Sequence, residues 1–268
     1  MNKAYNRVKR TQLWNKLFNI GVQGPLLENI ISLYTTAWEI IQIKGDKSTL
    51  FALPNGLRQG SVISPLLYII DYANVLTALQ NTNTGIPIDS QTEEKVPAIM
   101  FVDDLTMFAL TPQNMIEQIA IARAAIRYNG GIINDKKSSI TSNQLKETIE
   151  KIIKQAGLTM KVTTSYISLG VKYNLQHKHH QMRQTEPVKY RLQKARAILN
   201  TMINKGLRNN NMCPKKTMEI IKTTLLTAVE YGLDYASLTH ADKLALGALA
   251  ADAARAAYNI DMKKEWPD

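Results

Sequence analysis

The stretch from Ala98 to Leu110, AIMFVDDLTMFAL, sets two adjacent carboxylates in a run that is otherwise apolar apart from Thr106. An isolated charge is costly to remove from water, so a buried carboxylate is usually neutralised, paired or bound to a metal. Asp favours turns, and the apolar runs on both sides favour strands. The stretch therefore predicts a strand, a turn at Asp103 and Asp104, and a second strand. Either this turn exposes both side chains to water, or it presents them to a cation.

The apolar periodicity divides the chain of 268 residues into two parts. Residues 1–175 alternate helical and extended patterns, whereas residues 176–268 carry helical patterns without a strand pattern. We therefore predict an α+β domain over 1–175 and an all-helical domain over 176–268. The predicted helices cover residues 11–20, 24–40, 60–80, 111–131, 142–157, 187–205, 214–231 and 240–259. Hairpins are predicted around Gly45–Asp46 and at Asp103–Asp104, a strand pattern over 162–175, and a surface loop over 81–97.

The charge balance favours a polyanionic partner. Thirty-three Lys and Arg against 22 Asp and Glu give a net charge of +11, which fits a nucleic acid or an acidic membrane surface. No stretch approaches the roughly 20 apolar residues of a spanning helix. Cys213 is the single cysteine, which excludes an intramolecular disulfide and predicts a reducing, intracellular compartment. The N-terminus lacks the pattern of a signal peptide.

The segment LPNGLRQGSVISPLLY, residues 53–68, is the second candidate functional segment. Gly56 and Gly60 allow another backbone to approach closely, Arg58 and Gln59 are long hydrogen-bond donors, and Ser61 begins the cap of a buried helix. An ordinary junction between a loop and a helix would have the same local chemistry.

In their order and spacing, these two segments resemble reverse transcriptases of the non-LTR retrotransposon type, with group II intron enzymes as more distant relatives. GLRQGSVISPLLY is similar to the family motif Gly-x-x-Gln-Gly-x-x-x-Ser-Pro, which packs against the incoming nucleotide and the template. The resemblance implies that Arg58, Gln59 and Gly60 contact substrate. FVDD is similar to the Tyr-x-Asp-Asp catalytic turn, which implies that Asp103 and Asp104 hold Mg²⁺ or Mn²⁺, with Asp104 supporting the site or the primer end.

Later segments extend the resemblance. NGGIINDKKSSI is like the segment that follows the palm helix, and it maps the family lysine onto Lys137, which either acts near pyrophosphate or is a solvated charge. YISLGVKYN looks like the primer-grip hairpin, with Leu169 and Gly170 placing the primer end. The helical tail, including AVEYGLDYA, resembles the thumb and the region that follows it.

The N-terminal segment NKAYNRVKR resembles the first palm motif, Asp-x-x-Lys-Ala-Phe/Tyr-Asp-x-Val. Tyr5 falls where the family admits or excludes a ribose 2′ hydroxyl, although a core aromatic would suit the position equally. The first aspartate of the motif falls just before Met1, and its second is Asn6. In the family, the first aspartate bridges two metal ions. We therefore expect an N-terminally truncated copy that lacks this carboxylate and the fingers.

Two basic segments complete the sequence picture. His177, His179 and His180 lie in a linker that predicts a solvated basic loop rather than a zinc site. In residues 189–216, basic side chains accompany an apolar stripe of Leu192, Ala195, Leu199, Met202 and Ile203, which predicts one packing face and one phosphate-binding face. The basic set is Lys189, Arg191, Lys194, Arg196, Lys205, Arg208, Lys215 and Lys216. A merely soluble helix face is the alternative.

The resemblance implies a right-hand polymerase fold, with a palm of antiparallel sheet and packed helices over 1–175 and a helical thumb over 176–268. The implied activity is RNA-directed DNA synthesis, in which a primer 3′ hydroxyl attacks a deoxynucleoside triphosphate. The implied partners are an RNA template, a DNA primer or duplex and the nucleotide, without a membrane; a nuclear location follows only from this function. The alternative is a catalytically inactive nucleic-acid-binding remnant.

Overall fold

The computed structural model describes residues 1, 4–35, 38–89, 91, 93–174, 186–207, 213–236 and 238–260. Helices and short strands alternate in the first part and helices dominate after residue 186, so the predicted mixed fold is confirmed. The chain divides into two compact units: unit 1 contains 1–139 and 147–161, and unit 2 contains 140–146 and the chain from Val162 onward. The predicted domain boundary at 175/176 adjoins residues outside the described part, and it stays a prediction.

The helices of unit 1 form where the apolar period and the terminal signals coincide. They are α1 (Arg10–Asn19), α2 (Gly24–Thr35), α3 (Ser64–Gln80), α4 (Pro112–Tyr128) and α5 (Lys146–Gln155), with 3₁₀ turns at Tyr5–Arg7 and Asp135–Lys137. At the start of α4, Thr111 Oγ1 accepts a hydrogen bond from the Asn114 amide at 3.2 Å and caps the helix. The helix ends before Gly130, whose φ of 86° suits a C-terminal glycine.

The strands of unit 1 are short and pair two by two. β1 (Trp38–Glu39) pairs with β4 (Phe51–Ala52), β2 (Gln42–Ile43) with β3 (Asp46–Lys47), β5 (Ile86–Pro87) with β6 (Lys95–Val96), and β7 (Ala98–Phe101) with β8 (Asp104–Met107), all antiparallel. The predicted loop over 81–97 therefore contains a short strand pair. The first hairpin turns at Lys44–Gly45 rather than at Gly45–Asp46, because Asp46 pairs with Ile43.

The core of unit 1 packs α3 between α1 and α4. Apolar residues lie on nearly every side of α3, so it buries residues toward both neighbours. The fully buried members are Leu13 and Leu17 from α1, Leu67, Tyr68, Tyr72, Val75 and Leu79 from α3, and Ala122 and Ile126 from α4. Tyr68 and Tyr72 stack with their ring centroids 4.4 Å apart. The predicted buried character of α3 is confirmed.

A polar network crosses this core. Lys16 Nζ lies 2.8 Å from Asp71 Oδ1 and 3.0 Å from Asn129 Oδ1, and it also donates to the backbone oxygen of Asp71. Asn129 Nδ2 donates to Asn74 Oδ1 at 2.7 Å. Burial raises the pKa of the Asp71 carboxyl group above its ordinary value, and Lys16 offsets part of that rise. The network ties α1, α3 and the end of α4 together through one buried ion pair.

Unit 2 joins one hairpin to a group of helices. The chain crosses between the units in β9 (Ser139–Thr141) and β10 (Lys161–Thr163), and β11 (Ser165–Ser168) pairs with β12 (Val171–Asn174). The helices are α6 (Glu186–Met202), α7 (Pro214–Ile221), α8 (Thr227–Glu230) and α9 (His240–Ala257), with π-helical turns at Ile203–Leu207 and Lys222–Leu226. A 3₁₀ turn covers Leu233–Tyr235. None of the described helices has the length and apolar content needed to cross a membrane.

The packing face of α6 matches the predicted stripe, with one exception. Leu192, Ala195 and Leu199 are buried together with Val188, and they pack with residues of α7, α8 and α9. Arg191, which the sequence placed among the phosphate-facing basic residues, is 5% exposed. That assignment is wrong, because Arg191 falls on the same helical stripe as Val188 and Ala195.

Candidate active site

The two neighbouring carboxylates lie at the tip of the β7–β8 hairpin. Phe101 pairs with Asp104, which leaves Val102 and Asp103 as the turn. The predicted strand–turn–strand is confirmed, but the turn is one residue earlier than predicted and Asp104 opens β8. Val102 has a φ of 52°, an outlier for a β-branched side chain. Strain of this kind persists where the surrounding structure fixes the backbone, and it occurs often at functional sites.

Only one face of the hairpin is covered. Met100, Leu105 and Met107 pack against the core of unit 1, whereas Ile99 and Phe101 are exposed. Side chains alternate across a two-stranded hairpin, so one face packs on the core and the other meets solvent. The Asp103 side chain is 43% exposed, which leaves its carboxylate accessible from outside.

Asp103 lies beside the N-terminal segment of the chain. The nitrogen of Met1 lies 3.9 Å from Asp103 Oδ2 and donates to the Asp103 backbone oxygen at 3.3 Å. Burial, with a smaller contribution from the charge of Asp103, raises the pKa of Tyr5. Tyr5 also stacks on Tyr68 with centroids 5.3 Å apart. The charge of Asp103 therefore acts on Tyr5, and the ring of Tyr5 packs on the buried tyrosines of α3.

The loop 53–60 docks along the same N-terminal segment. Gly56 N donates to Val8 O at 2.9 Å, and Leu57 N donates to Tyr5 O at 2.8 Å. A Cβ on Gly56 would lie 2.9 Å from Asn6 Cα, so the close approach that the sequence predicted here is confirmed. Gln59 Nε2 donates to Asn6 Oδ1 at 3.4 Å. The loop therefore lies against the segment that carries Tyr5.

Arg58, Gln59 and Gly60 project from this loop as exposed residues. Gly60 has a φ of 84°, and a Cβ there would meet open space. The glycine therefore serves the backbone conformation rather than a close contact. The long side chains of Arg58 and Gln59 stand on the solvent side of the docked loop, where a ligand can reach them.

Arg10 stabilises the loop 53–60 through hydrogen bonds, and the sequence analysis did not predict this role. Its Nε donates to Gly56 O at 2.8 Å, and its Nη1 donates to Tyr34 O at 3.0 Å and to Leu53 O. The guanidinium lies 5.2 Å from the Tyr34 ring centroid and is 9% exposed. Burial lowers the pKa of Arg10. Its acceptors lie in segments distant along the chain, so no local sequence pattern marks it.

The remaining predicted residues belong to other elements. Lys137 is exposed in the 3₁₀ turn Asp135–Lys137, which Asn134 caps and the ion pair of Asp135 with Arg123 anchors at 2.8 Å. Leu169 and Gly170 form the turn of the β11–β12 hairpin in unit 2. His177, His179 and His180 fall in 175–185, outside the described residues. Within unit 1, the hairpin tip, Tyr5 and the docked loop are thus assembled around Met1 and residues 4–10.

Metal ligands are sparse at the hairpin tip. Over the described ranges, no group of three Asp, Glu, His or Cys side chains is close enough to hold one ion. Asp103 and Asp104 offer carboxylate oxygens at the tip. Magnesium prefers oxygen ligands and commonly takes one or two carboxylates, with water and phosphate oxygens completing its shell. The donor type at the tip therefore suits magnesium, although two ions would require a further carboxylate.

Residues 1–190 match the family model described as reverse transcriptase (RNA-dependent DNA polymerase). The chain belongs to the reverse transcriptase family. Two retrovirus-related Pol polyproteins from the type-1 retrotransposable element R2 of Popillia japonica are similar to it. One is 23% identical over 142 residues, covering 53% of this chain and 23% of the relative. The other is 25% identical over 140 residues, covering 52% and 19%.

These matches confirm the resemblance to non-LTR reverse transcriptases. The chain spans about a fifth of the length of these relatives. The family match includes the docked loop and the hairpin tip, and it extends into α6. The two central motifs, at 53–68 and 98–110, are therefore inside the matched region, whereas the segment AVEYGLDYA lies beyond it.

Proposed function

We propose that this reverse transcriptase domain is the palm and thumb of an RNA-directed DNA polymerase, which joins a deoxynucleotide to a primer 3′ hydroxyl. The observation that carries the proposal is the β7–β8 hairpin, whose turn sets Asp103 beside Met1 and close to Tyr5. A carboxylate on a strained turn with one face packed is held at a fixed position, as a metal site requires. In this assignment unit 1 holds the palm, and the helices of unit 2 belong to the thumb.

Divalent metal ions are the general cofactors of the family, and Mg²⁺ or Mn²⁺ would be held by Asp103 with support from Asp104. When bound, the ions activate the attacking hydroxyl and stabilise the leaving pyrophosphate. The protein residues do the positioning. Tyr5, stacked on Tyr68, would lie under the sugar of the nucleotide, and Arg58 and Gln59 on the docked loop would contact the nucleotide or the template. Lys137 is proposed to act near the pyrophosphate.

The position joined to Met1 is where a bridging carboxylate would complete the site. A peptide bond of about 1.33 Å would attach that residue to a nitrogen lying 3.9 Å from Asp103 Oδ2. Any residue in that place therefore starts beside the Asp103 carboxylate. An aspartate there, as the first palm motif of the family has, would bring a carboxylate from a second segment to the hairpin tip.

Primer extension on an RNA template with Mg²⁺ or Mn²⁺ tests this proposal. The assay compares two proteins that are extended before Met1. The residue joined directly to Met1 is Asp in one form and Asn in the other. We expect extension from the Asp form, and a loss of about a thousandfold or more in the Asn form and after Asp103→Asn, because metal clamping is worth several kcal/mol. Equal primer extension by the Asp form, the Asn form and the Asp103→Asn variant would overturn the assignment of the metal ligands.

A nucleic-acid-binding remnant without catalysis is the second candidate. The sparse metal ligands over the described ranges favour it, as does the net charge of +11. We propose this role for the 268-residue chain when no aspartate precedes Met1. Binding of a primer–template duplex without extension in every lengthened form would select this candidate over the polymerase.

Salt dependence tests the binding surface that both candidates share. Lys194 and Arg196 are exposed on α6, and changing both to Gln removes two phosphate contacts. The slope of log affinity against log salt should then fall by nearly two, since each contact contributes about 0.9. Changing Lys151 and Lys154 of α5 to Gln removes the same charge from unit 1 as a control. Equal slopes for both double variants would place the duplex elsewhere.

A further inference from the structure

The β11–β12 hairpin of unit 2 ends in an unusual turn. Ser168 pairs with Val171, which leaves Leu169 and Gly170 as a two-residue turn with φ of 47° and 77°. Positive φ at both positions is the type I′ geometry, which normally carries Asn-Gly or Gly-Gly. A leucine in this conformation is an outlier. Its backbone therefore needs support from neighbouring groups.

Two side chains supply that support. Tyr231 Oη donates to Leu169 O at 2.7 Å, and Arg191 Nη2 donates to Gly170 O at 2.6 Å. The Arg191 guanidinium also lies 4.5 Å from the centroid of the Tyr231 ring. We call Arg191 and Tyr231 the clamp. It fixes both carbonyl groups of the turn, and each member of the clamp holds the other.

The backbone beside the clamp is equally constrained. Gly232 follows Tyr231 with a φ of 76°, and a Cβ at Gly232 would lie 2.7 Å from Val171 Cγ2. The residue after Tyr231 therefore packs directly on the first residue of β12. This contact keeps Tyr231 in register with the hairpin turn.

A two-residue turn does not normally require the side-chain contacts that the clamp provides. Arg191 is 5% exposed, and in the described part of the chain no carboxylate pairs with it, although buried charges are normally paired. An Asn-Gly turn would adopt the same backbone without help. Instead, the turn displays the Leu169 side chain, which is 45% exposed. Strain that is held in place by costly contacts points to a function for the strained residue.

We propose that Arg191 and Tyr231 are positioning residues that fix the Leu169–Gly170 turn as a rigid apolar contact for the terminal nucleotide of a primer strand. The inference rests on the proposed function. An apolar side chain can pack on a sugar or base but cannot neutralise phosphate. The clamp should therefore set the preference for a strand end, whereas the exposed cations of α6 set the overall, salt-dependent affinity.

The test compares Arg191→Lys and Tyr231→Phe with Arg127→Lys and Tyr258→Phe. All four preserve charge and approximate size. Lysine lacks the planar guanidinium group with which Arg191 lies on the Tyr231 ring and donates to Gly170 O. Phenylalanine lacks the hydroxyl group that donates to Leu169 O. Arg127 of α4 and Tyr258 are exposed, lie outside the proposed binding surface and serve as matched controls. Tyr231→Phe changes a half-exposed residue, so it should fold even if Arg191→Lys does not.

The readout is the affinity for a recessed primer–template divided by the affinity for a blunt duplex of the same length. A fluorescent base at the primer 3′ end reports terminal contact in the same samples. We expect the wild type and the controls to prefer the recessed end, and the clamp variants to lose that preference by about fivefold to tenfold while keeping their blunt-duplex affinity.

The outcomes separate the two proposals. Clamp variants that retain the wild-type ratio and the wild-type fluorescence change would overturn the positioning role and leave the proposed function intact. A parallel fall in both affinities would also overturn it, because a structural defect lowers them together. A wild-type chain that binds neither duplex would overturn the proposed function and this inference with it.

Discussion

Replacing Lys16 with methionine is expected to lower the free energy of unfolding by about 3–5 kcal/mol at pH 7, the usual result of leaving a buried charge unpaired. Asp71 is 1% exposed and Lys16 is 24% exposed, so water cannot replace the lost ammonium at the carboxylate. Asn129 Oδ1 loses the same donor. Urea denaturation of the purified variant measures the change.

The defect should depend on pH in one direction. Burial already raises the pKa of Asp71, and loss of Lys16 removes the group that offsets that rise. A carboxyl group whose pKa is higher in the folded state binds its proton more tightly there. Its stabilising effect is therefore fully present below the unfolded value of about 3.9 and is lost as the pH rises through the folded value. We expect the difference from wild type to be larger at pH 7 than at pH 5.

Two further variants identify the cause. Asp71→Asn in the Lys16→Met background removes the unpaired charge and should recover at least half of the lost stability, because neutral pairs cost less to bury. Lys154→Met removes an exposed lysine of α5 and should change stability by less than about 0.5 kcal/mol. If Lys16→Met and Lys154→Met are equally mild, the buried ion pair does not stabilise the junction of α1, α3 and α4.

The sequence predicted the elements better than their turns. Periodicity located α1, α4 and α6 because one face of each is apolar. It located α3 because that segment is apolar on nearly every side. Turn chemistry located the β7–β8 hairpin but misplaced its tip by one residue. The pairing of Phe101 with Asp104 decides which two residues turn, and residue preferences favoured Asp over the strained Val102.

The sequence predicted the motif residues of the site but not the residues that hold those motifs in place. Asp103, Gln59 and Tyr5 could be named because their segments match family motifs. The residues that hold those segments, Arg10 and Arg191, were not identified as buried, because a charged side chain is taken to face solvent. Both guanidinium groups lie on a tyrosine ring and donate to loop carbonyl groups. Such contacts join segments distant along the chain, which no local pattern reveals.

Arg10→Met is expected to release the loop 53–60 and to lower the free energy of unfolding by about 3 kcal/mol, since the carbonyl groups of Gly56, Tyr34 and Leu53 lose a charged donor. Methionine keeps much of the apolar stem but cannot donate a hydrogen bond. The expected local sign is faster amide hydrogen exchange at Gly56 and Leu57, whose amides donate to Val8 and Tyr5.

Arg127→Met provides the control, because Arg127 is exposed in the last turn of α4 and its loss should change stability by only a few tenths of a kcal/mol. Arg10→Lys separates charge from geometry: a lysine keeps the positive charge but cannot reach several carbonyl groups with a planar fork. We therefore expect Arg10→Lys to resemble Arg10→Met in hydrogen exchange. Wild-type protection of Gly56 and Leu57 in both Arg10 variants would show that the contacts with Tyr5 and Val8 hold the loop without the arginine. Arg58 and Gln59 would then be positioned by the N-terminal segment.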